Sequence, residues 1–279
     1  HYQRSATELV SWLIGVIMGR YSLDAPGLIL ADQGSTLDDF QTRVPTASFM
    51  PDADGIIPIT DSLFHDNADL RLTDALSALL GADSLGQNLD FLARCLAVKK
   101  PTSSGADFQP PRPVVDSRAA LLKYMKSGFL KDHEKAYSNR PIYWMFSSRP
   151  DGKGVFNALI YLHRYTSDTL NTVLGDYLRE FQAKLRTEIG HLERSKTATD
   201  QKRADAYRKA LTECEDYERD TLFPLASHRL PIDLDDGVLV NYLRFGEALQ
   251  KIPTIERKRR DVQAWTWPTH QLTSEDSFK

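Results

Sequence analysis

The chain has 279 residues, of which 41% are apolar and 26% charged, an ordinary composition for a globular protein. Its most apolar window, Leu9 to Met18, is far shorter than the ~20 residues that a membrane span needs, and it lacks a signal-peptide cleavage site. The formal charge of −3 is unevenly distributed: residues 1–116 carry 8 Lys/Arg against 15 Asp/Glu, whereas residues 99–164 carry 12 against 5. We therefore expect only part of the surface to meet a polyanion.

Two cysteines, Cys95 and Cys214, lie far apart and have no CxxC spacing, which favours two buried thiols in a reduced, cytoplasmic protein. The chain begins at His1 instead of a methionine. We expect either a processed protein or a piece of a longer one.

The first third of the chain reads as helical. A helix is predicted over residues 6–20, followed by a loop-rich stretch over 28–67 with at most one short strand near residues 55–59. Apolar residues at three- and four-residue spacing predict two more helices, over 69–80 and 86–97. We assign residues 1–98 to an N-terminal helical subdomain.

The segment KKPTSSGADFQPPRP, from Lys99 to Pro113, contains four prolines and no periodicity, and we interpret residues 99–116 as a linker. Short basic amphipathic helices are predicted over 117–137. They lead into RPIYWMFSSRPDGKGVFNALIYLHRY, residues 140–165, where runs at 141–146 and 155–162 flank a glycine-containing turn, as in a β-hairpin. Both runs are apolar at nearly every position, so we expect other elements to cover both faces.

Helical periodicity resumes after the hairpin. Helices are predicted over about 168–194 and 200–222, joined by a short polar turn as an antiparallel helical hairpin. A further helix is predicted from the DLDDG motif at 233–237 through Leu249, and a basic and then aromatic tail follows. Residues 117–279 thus form a second subdomain, and the fold class is α+β, mostly helical, with a small sheet built on the hairpin.

No motif of a nucleotide-binding loop, metalloprotease or serine hydrolase occurs in the chain. The sequence PDADG at 51–55 resembles half of a calcium loop, but an Asx turn explains it more simply. Asp235 and Asp236 fit a helix cap better than paired catalytic carboxylates. We interpret His133 and His163 as structural or surface residues, so we predict no catalytic residue and no metal site.

The basic enrichment around the hairpin is the feature that points to a binding function. Its cations lie on adjacent predicted elements that could share one face and contact phosphates, giving salt-dependent binding. The alternative is a mixed surface without a ligand. The candidate DNA-binding residues are Lys123, Lys126, Lys131, Lys135, Arg140, Arg149, Lys153 and Arg164.

Five stretches of the chain resemble a known family. They are LVSWLIGVIMGRYSLDAPGL, NLDFLARCL, FLKDHEKAYSNRPIYWMFSS, FNALIYLHRYTSDTLNTVLGDYL and DLDDGVLVNYLRFGEAL. In this order they resemble the C-terminal part of the PglX family, the large adenine-specific DNA methyltransferases of BREX phage-exclusion systems. Similar segments occur in related single-chain methyltransferases of restriction-like systems.

The resemblance implies a bacterial, cytoplasmic protein that methylates N6 of adenine with S-adenosylmethionine, its methyltransferase domain lying upstream of the matched segment. This chain has neither the NPPY motif that holds the flipped adenine nor an FxGxG-like cofactor loop, and base methylation requires both sites. We therefore expect this chain to bind no cofactor and to be inactive alone, with double-stranded DNA and the methyltransferase domain of the same polypeptide as partners. Family members share the matched strings although their targets differ, which favours backbone contact over base reading for those residues. Residues that read bases would then lie in 32–54, the linker or the loop 147–154.

A rival interpretation is a protein-interaction scaffold. The helical hairpin and the acidic first third would then dock the methyltransferase domain or other phage-defence proteins.

Overall fold

The computed structural model describes residues 2–61, 64–97, 114–137, 140–195 and 197–264. Within these ranges the chain is mostly helical and contains one small antiparallel sheet, as predicted. Most of the predicted linker lies outside the described residues.

Helices flank the sheet in both halves of the chain. The N-terminal helices are α1 (Tyr2–Ile17), α2 (Leu37–Arg43), α3 (Ala68–Leu80) and α4 (Leu85–Ala97). After the linker come α5 (Ser117–Tyr124), one turn of π-helix (Met125–Phe129) and α6 (Leu130–Ala136). The C-terminal helices are α7 (Thr169–Thr172), α8 (Glu180–Glu193), α9 (Ala198–Tyr217), α10 (Phe223–Ser227), α11 (Val238–Arg244) and α12 (Pro253–Ala264).

The sheet has three strands in the order β1–β3–β2, namely β1 (Ile56–Pro58), β3 (Asn157–Tyr161) and β2 (Tyr143–Ser147). Both pairings are antiparallel, with Trp144 opposite Ile160 and Ile57 opposite Leu159. The predicted hairpin and the single short strand before it are both confirmed.

Each face of the sheet covers a separate core. Met145 and Leu159 belong to the core formed with the N-terminal helices, whereas Trp144 and Ile160 belong to the core formed with the C-terminal helices. Because neighbouring side chains of a strand point to opposite faces, a strand buried on both faces needs apolar residues at every position. This explains the continuous apolar runs of the hairpin.

The first core joins elements from both sides of the predicted linker. Leu121, Met125 and Phe129 of the α5–α6 segment pack with Leu13 of α1 and Leu72 of α3. The sheet therefore separates the two cores. The division of the chain into the subdomains 1–98 and 117–279 stays a prediction.

The helical hairpin, formed by α8 and α9, contributes to the second core. Ion pairs Arg186–Glu215 (2.7 Å) and Arg208–Glu193 (2.6 Å) link α8 to α9. Because the earlier residue of α8 pairs with the later residue of α9, the two helices are antiparallel, as predicted. Inside this core the Trp144 ring makes edge-to-face contact with Phe245, at a centroid distance of 5.4 Å.

Two local predictions were wrong. The helix predicted through Leu249 ends at Arg244, because the chain turns and Leu249 forms a β-bridge with Phe146. The stretch 28–67 contains the short helix α2, whose N-cap Thr36 exchanges hydrogen bonds with Asp39 in a capping box.

Cys95 and Cys214 are free and buried, as predicted. No helix within the described ranges is long and apolar enough to cross a membrane.

Candidate nucleic-acid interface

Four lysines from three separate parts of the chain line one groove of about 290 Å³. Lys126 and Lys131 come from the α5–α6 segment, Lys153 from the β2–β3 turn, and Lys251 from the segment before α12. Two carboxylates, from Glu134 and Asp151, also line the groove, so the charged lining residues carry a net charge of +2. We refer to this surface as the basic groove.

The β2–β3 turn forms one wall of the groove. Gly152 has a φ of +75°, and a Cβ at this position would lie 2.6 Å from the side-chain amide nitrogen of Gln250. The left-handed backbone at this position favours glycine, which has no Cβ, and a larger residue would also displace the Gln250 amide. Asp151 accepts a hydrogen bond from the backbone N–H of Lys153 (3.0 Å) and pairs with Arg149 (2.6 Å).

Helix α9 holds this turn in place through Glu213. The Glu213 carboxylate accepts hydrogen bonds from the Ser148 hydroxyl (2.5 Å) and the Val155 backbone N–H (2.9 Å). A carboxylate that accepts two such bonds restrains the two ends of the turn relative to each other. The helical hairpin therefore positions Lys153 although it contributes no cation to the groove.

The segment before α12 forms the opposite wall. Backbone N–H groups of Gln250 and Lys251 donate to the carbonyls of Met145 and Pro150, each at 2.8 Å. Tyr242 donates its hydroxyl to the Gln250 carbonyl (2.8 Å) and accepts from the backbone N–H of Ile252 (3.2 Å). These bonds cover the outer edge of β2 and fix Lys251 beside the turn.

Local partners differ among the groove lysines. Lys126 pairs with the exposed Asp61 (2.8 Å), and Lys251 pairs with Glu247 (2.8 Å). Within the described residues, Lys131 and Lys153 are exposed and form no ion pair. These two ammonium groups are the least neutralised and the readiest to meet a phosphate.

The other predicted cations are scattered around this groove. Lys123 and Lys135 are exposed on α5 and α6 but do not line it, and Arg149 is exposed beside Asp151. Arg140 lines a neighbouring hollow of about 560 Å³ with Lys258 of α12. The chain from Gln250 to Lys258 contributes to the walls of both depressions.

Arg164 does not belong to this surface, which corrects its place among the candidates. Its side chain is buried, and its guanidinium donates to the backbone carbonyls of Asp52 (2.7 Å) and Ala53 (2.6 Å). Burial lowers the pKa of this guanidinium. Arg164 thus ties β3 to the loop before β1.

Sequence reasoning missed Lys251. It follows the region predicted as helix, and the backbone hydrogen bonds of this segment to β2 and to Pro150 bring it beside the hairpin turn. No local pattern in the sequence predicts that contact.

The two histidines near the hairpin, His133 and His163, pack within the fold and contribute to its structure. His133 is buried, and its Nε2 accepts hydrogen bonds from the backbone N–H groups of Ile142 (3.0 Å) and Tyr143 (3.2 Å). Burial lowers the pKa of His133 to about 3, so the ring is neutral at physiological pH. Burial also lowers the pKa of His163, whose ring lies 4.9 Å from that of Tyr161.

The aspartates of PDADG form a turn, whereas the prediction that Asp235 and Asp236 cap the following helix was wrong, because the N-cap of α11 is Gly237 and no side chain bonds there. Asp52 accepts hydrogen bonds from the backbone N–H groups of Asp54, Gly55 and Ile56, which is the Asx turn predicted for PDADG. Asp236 pairs with Arg244 at 2.7 Å. In the part of the chain that the structure describes, no cluster of three or more His, Cys, Asp or Glu side chains is placed to hold a metal ion.

Comparison with known proteins gives two relatives and no matching family model. An adenine-specific methyltransferase, BrxX, from Escherichia coli O9:H4 (strain HS), is 34% identical over 266 residues, which are 91% of this chain and 21% of the relative. An adenine-specific methyltransferase, PglX, from Lacticaseibacillus casei (strain Zhang), is 31% identical over 253 residues, or 86% of this chain and 19% of the relative. The chain spans about one fifth of the length of these relatives. Over most of its own length, this chain is therefore related to the PglX family of adenine-specific methyltransferases, as its sequence motifs predicted.

Proposed function

We propose that this chain is a non-catalytic, C-terminal DNA-binding region of a PglX-like adenine DNA methyltransferase, and that it supports target recognition. The parent enzyme would be a bacterial cytoplasmic protein of phage defence that transfers a methyl group from S-adenosylmethionine to N6 of adenine. The kinship with the two methyltransferases supports this proposal, and so does the absence from this sequence of the motifs for cofactor and flipped base. In this proposal the chain holds duplex DNA while the methyltransferase domain performs the chemistry.

The observation that carries the proposal is the convergence of Lys126, Lys131, Lys153 and Lys251 on one groove. They come from elements that are distant in sequence, and the backbone of the groove is fixed by hydrogen bonds to β2 and to Glu213. Phosphate contacts from lysine position a protein on a duplex without reading its sequence. Of the four lysines, Lys131 lies in a stretch that resembles the family, whereas Lys153 lies in the less similar loop 147–154.

A charge-reversal experiment tests the proposal. The triple variant Lys131→Glu/Arg140→Glu/Lys153→Glu changes three exposed cations of the groove and the neighbouring hollow. We expect it to lower the affinity for a fluorescein-labelled duplex, measured by anisotropy, by more than about tenfold at low salt, because three phosphate contacts become repulsive.

A matched control separates the groove from overall charge. Arg194→Glu/Lys202→Glu/Lys209→Glu makes the same change in net charge at exposed positions of the helical hairpin. We expect the control to bind nearly as well as the unaltered chain. Equal losses in the two triple variants would contradict a specific role for the groove.

A second candidate function is a scaffold that docks the methyltransferase domain or other phage-defence proteins. Phe223, the first residue of α10, follows the helical hairpin and is 51% exposed beside Arg179, Arg186 and Arg219. A partly exposed aromatic ring surrounded by polar residues is typical of a protein-interaction site. If Phe223→Asp abolishes capture of the methyltransferase domain while the groove triple variant does not, the scaffold function is supported.

A further inference from the structure

A separate cavity of about 230 Å³ lies between α1 and the α5–α6 segment. It uses residues of α6 other than those that line the basic groove. Five aromatic side chains form its walls, namely Trp12, Tyr21, Tyr124, Phe129 and Tyr137. Its volume is below the ~300–1,000 Å³ of sites that enclose a whole drug-sized ligand, so it has room for a head group or a single side chain.

The backbone is shaped to bring these rings together. Two wall residues lie at the ends of the π-helical turn Met125–Phe129, because Tyr124 precedes the turn and Phe129 is its last residue. Within this turn, a Cβ at Gly128 would lie 2.7 Å from the Tyr124 ring, so the glycine lets that ring lie against the helix. Single π turns inside helices are frequent at functional sites.

The polar part of the lining is acidic. Glu8 and Asp132 line the cavity, and Asp132 accepts a hydrogen bond from the Tyr124 hydroxyl at 3.1 Å. His133 contributes no positive charge, because its Nε2 accepts two backbone hydrogen bonds. Among the described residues, the lining contains two carboxylates and no cation.

Two of the wall rings already attract a cation from outside the cavity. The Arg20 guanidinium lies 5.6 Å from the Tyr21 ring centroid and 5.8 Å from that of Tyr137. The Arg20 guanidinium donates a hydrogen bond to the Tyr161 hydroxyl (3.1 Å), and Arg20 does not line the cavity. The Glu8 carboxylate pairs with the exposed Arg4 at 2.8 Å, whereas Asp132 forms no ion pair within the described residues. Asp132 is therefore the lining carboxylate that no neighbouring cation neutralises directly, and a bound cation would share Glu8 with Arg4.

We propose that this cavity binds an organic cation, an alkylated ammonium or a guanidinium group, between its aromatic walls and the carboxylates of Glu8 and Asp132. Ring faces carry the negative part of an aromatic quadrupole and attract cations most strongly where water is displaced. The carboxylates add direct charge pairing. A phosphate would meet the same carboxylates and be repelled, so this site is distinct from the basic groove.

Isothermal titration calorimetry of the full chain tests this site with two pairs of probes. Choline is compared with 3,3-dimethylbutanol, its neutral isostere, and a short peptide with one arginine is compared with the same peptide containing citrulline. We expect saturable binding of a cation at least about tenfold tighter than that of its neutral isostere. Tighter binding of choline would assign a free head group, and tighter binding of the arginine peptide a cation carried by a protein.

The variant Glu8→Gln/Asp132→Asn keeps the shape of the cavity and removes its charge. We expect it to weaken cation binding at least about tenfold while leaving the neutral isosteres unchanged. Glu180→Gln/Asp176→Asn, at exposed positions on the far side of the sheet, serves as the control and should bind as the unaltered chain does. Urea unfolding of each variant shows whether it remains folded.

Three results would overturn the proposal. They are no saturable binding of either cation, equal binding of a cation and its neutral isostere, and unchanged cation binding in folded Glu8→Gln/Asp132→Asn.

Discussion

The hydroxyl of Tyr177 lies between the carboxyl groups of Asp54 and Asp66, and the burial of these two carboxyl groups makes the stability of the fold depend on pH. The hydroxyl oxygen is 3.0 Å from a carboxylate oxygen of Asp54 and 3.1 Å from one of Asp66. A single hydroxyl proton cannot be donated to both carboxylates at once. Burial, together with the neighbouring Asp52, raises the pKa of Asp54 to about 8, and burial also raises the pKa of Asp66.

The direction of the pH effect follows from these shifts. An unfolded aspartate loses its proton near pH ~3.9, whereas folded Asp54 keeps it until about pH 8. Between these values the folded state binds the extra proton, so stability is fully present below about pH 4 and is lost as the pH rises towards 8. One group of this kind changes the free energy of unfolding by ~1.4 kcal/mol per pH unit, or about 3 kcal/mol between pH 5 and pH 7.

Urea unfolding of Asp54→Asn at pH 5, 6 and 7 measures this contribution. The amide keeps the shape of the side chain but does not titrate, so the stability of the unaltered chain relative to the variant should fall by about 3 kcal/mol over this range. Asp176→Asn, an exposed position next to Tyr177, should show no such change. Parallel pH profiles for the unaltered chain and Asp54→Asn would refute the reasoning.

Three further substitutions probe the framework of the site. Arg164→Leu leaves the buried Asp52 carbonyl and the partly buried Ala53 carbonyl without their donor and should lower the free energy of unfolding by about 1–3 kcal/mol, while the salt dependence of DNA binding stays unchanged. Glu213→Ala frees the β2–β3 turn and should weaken DNA binding by several-fold in anisotropy titrations, although Glu213 is not a cation; unchanged binding would contradict its positioning role. Trp144→Ala opens a void between Phe245 and the sheet and should cost about 3–5 kcal/mol in urea unfolding.

The hairpin and its double-sided burial could be predicted from sequence because they depend on local pattern. Trp144 and Met145 are consecutive, apolar and both buried, and in a run of β-branched and aromatic residues beside a glycine-containing turn this pattern indicates a strand covered on both faces. The helical hairpin was predictable for the same reason, since its periodicity extends over many turns.

The composition of the groove was only partly predictable, because it depends on contacts between distant parts of the chain. The clustering of cations in the sequence indicated that Lys126, Lys131 and Lys153 lie near one another, and all three line the groove. The same clustering could not show that Arg164 is buried. That side chain turns inward to carbonyls more than 100 positions earlier in the chain. Lys251 was not predicted because backbone hydrogen bonds to β2 and to Pro150, which no local pattern indicates, place it beside the turn.

The aromatic cavity was not predicted for a similar reason. Trp12 of α1 and Tyr137 beyond α6 come together only when the two halves of the first core assemble. Sequence alone indicates that such rings are buried, not that they leave a space between them.

The salt dependence of DNA binding tests the central claim most directly. If Arg140 and three of the four groove lysines, Lys131 and Lys153 among them, each contact one phosphate, the slope of log K against log salt should be about −3.6, and the affinity for a duplex should fall roughly 150-fold between 50 and 200 mM salt. In Lys131→Glu/Arg140→Glu/Lys153→Glu the slope should approach −1, while Arg194→Glu/Lys202→Glu/Lys209→Glu should keep the original slope. A flat salt dependence of the unaltered chain, or the same slope in both triple variants, would contradict the assignment of the basic groove as the DNA-binding surface.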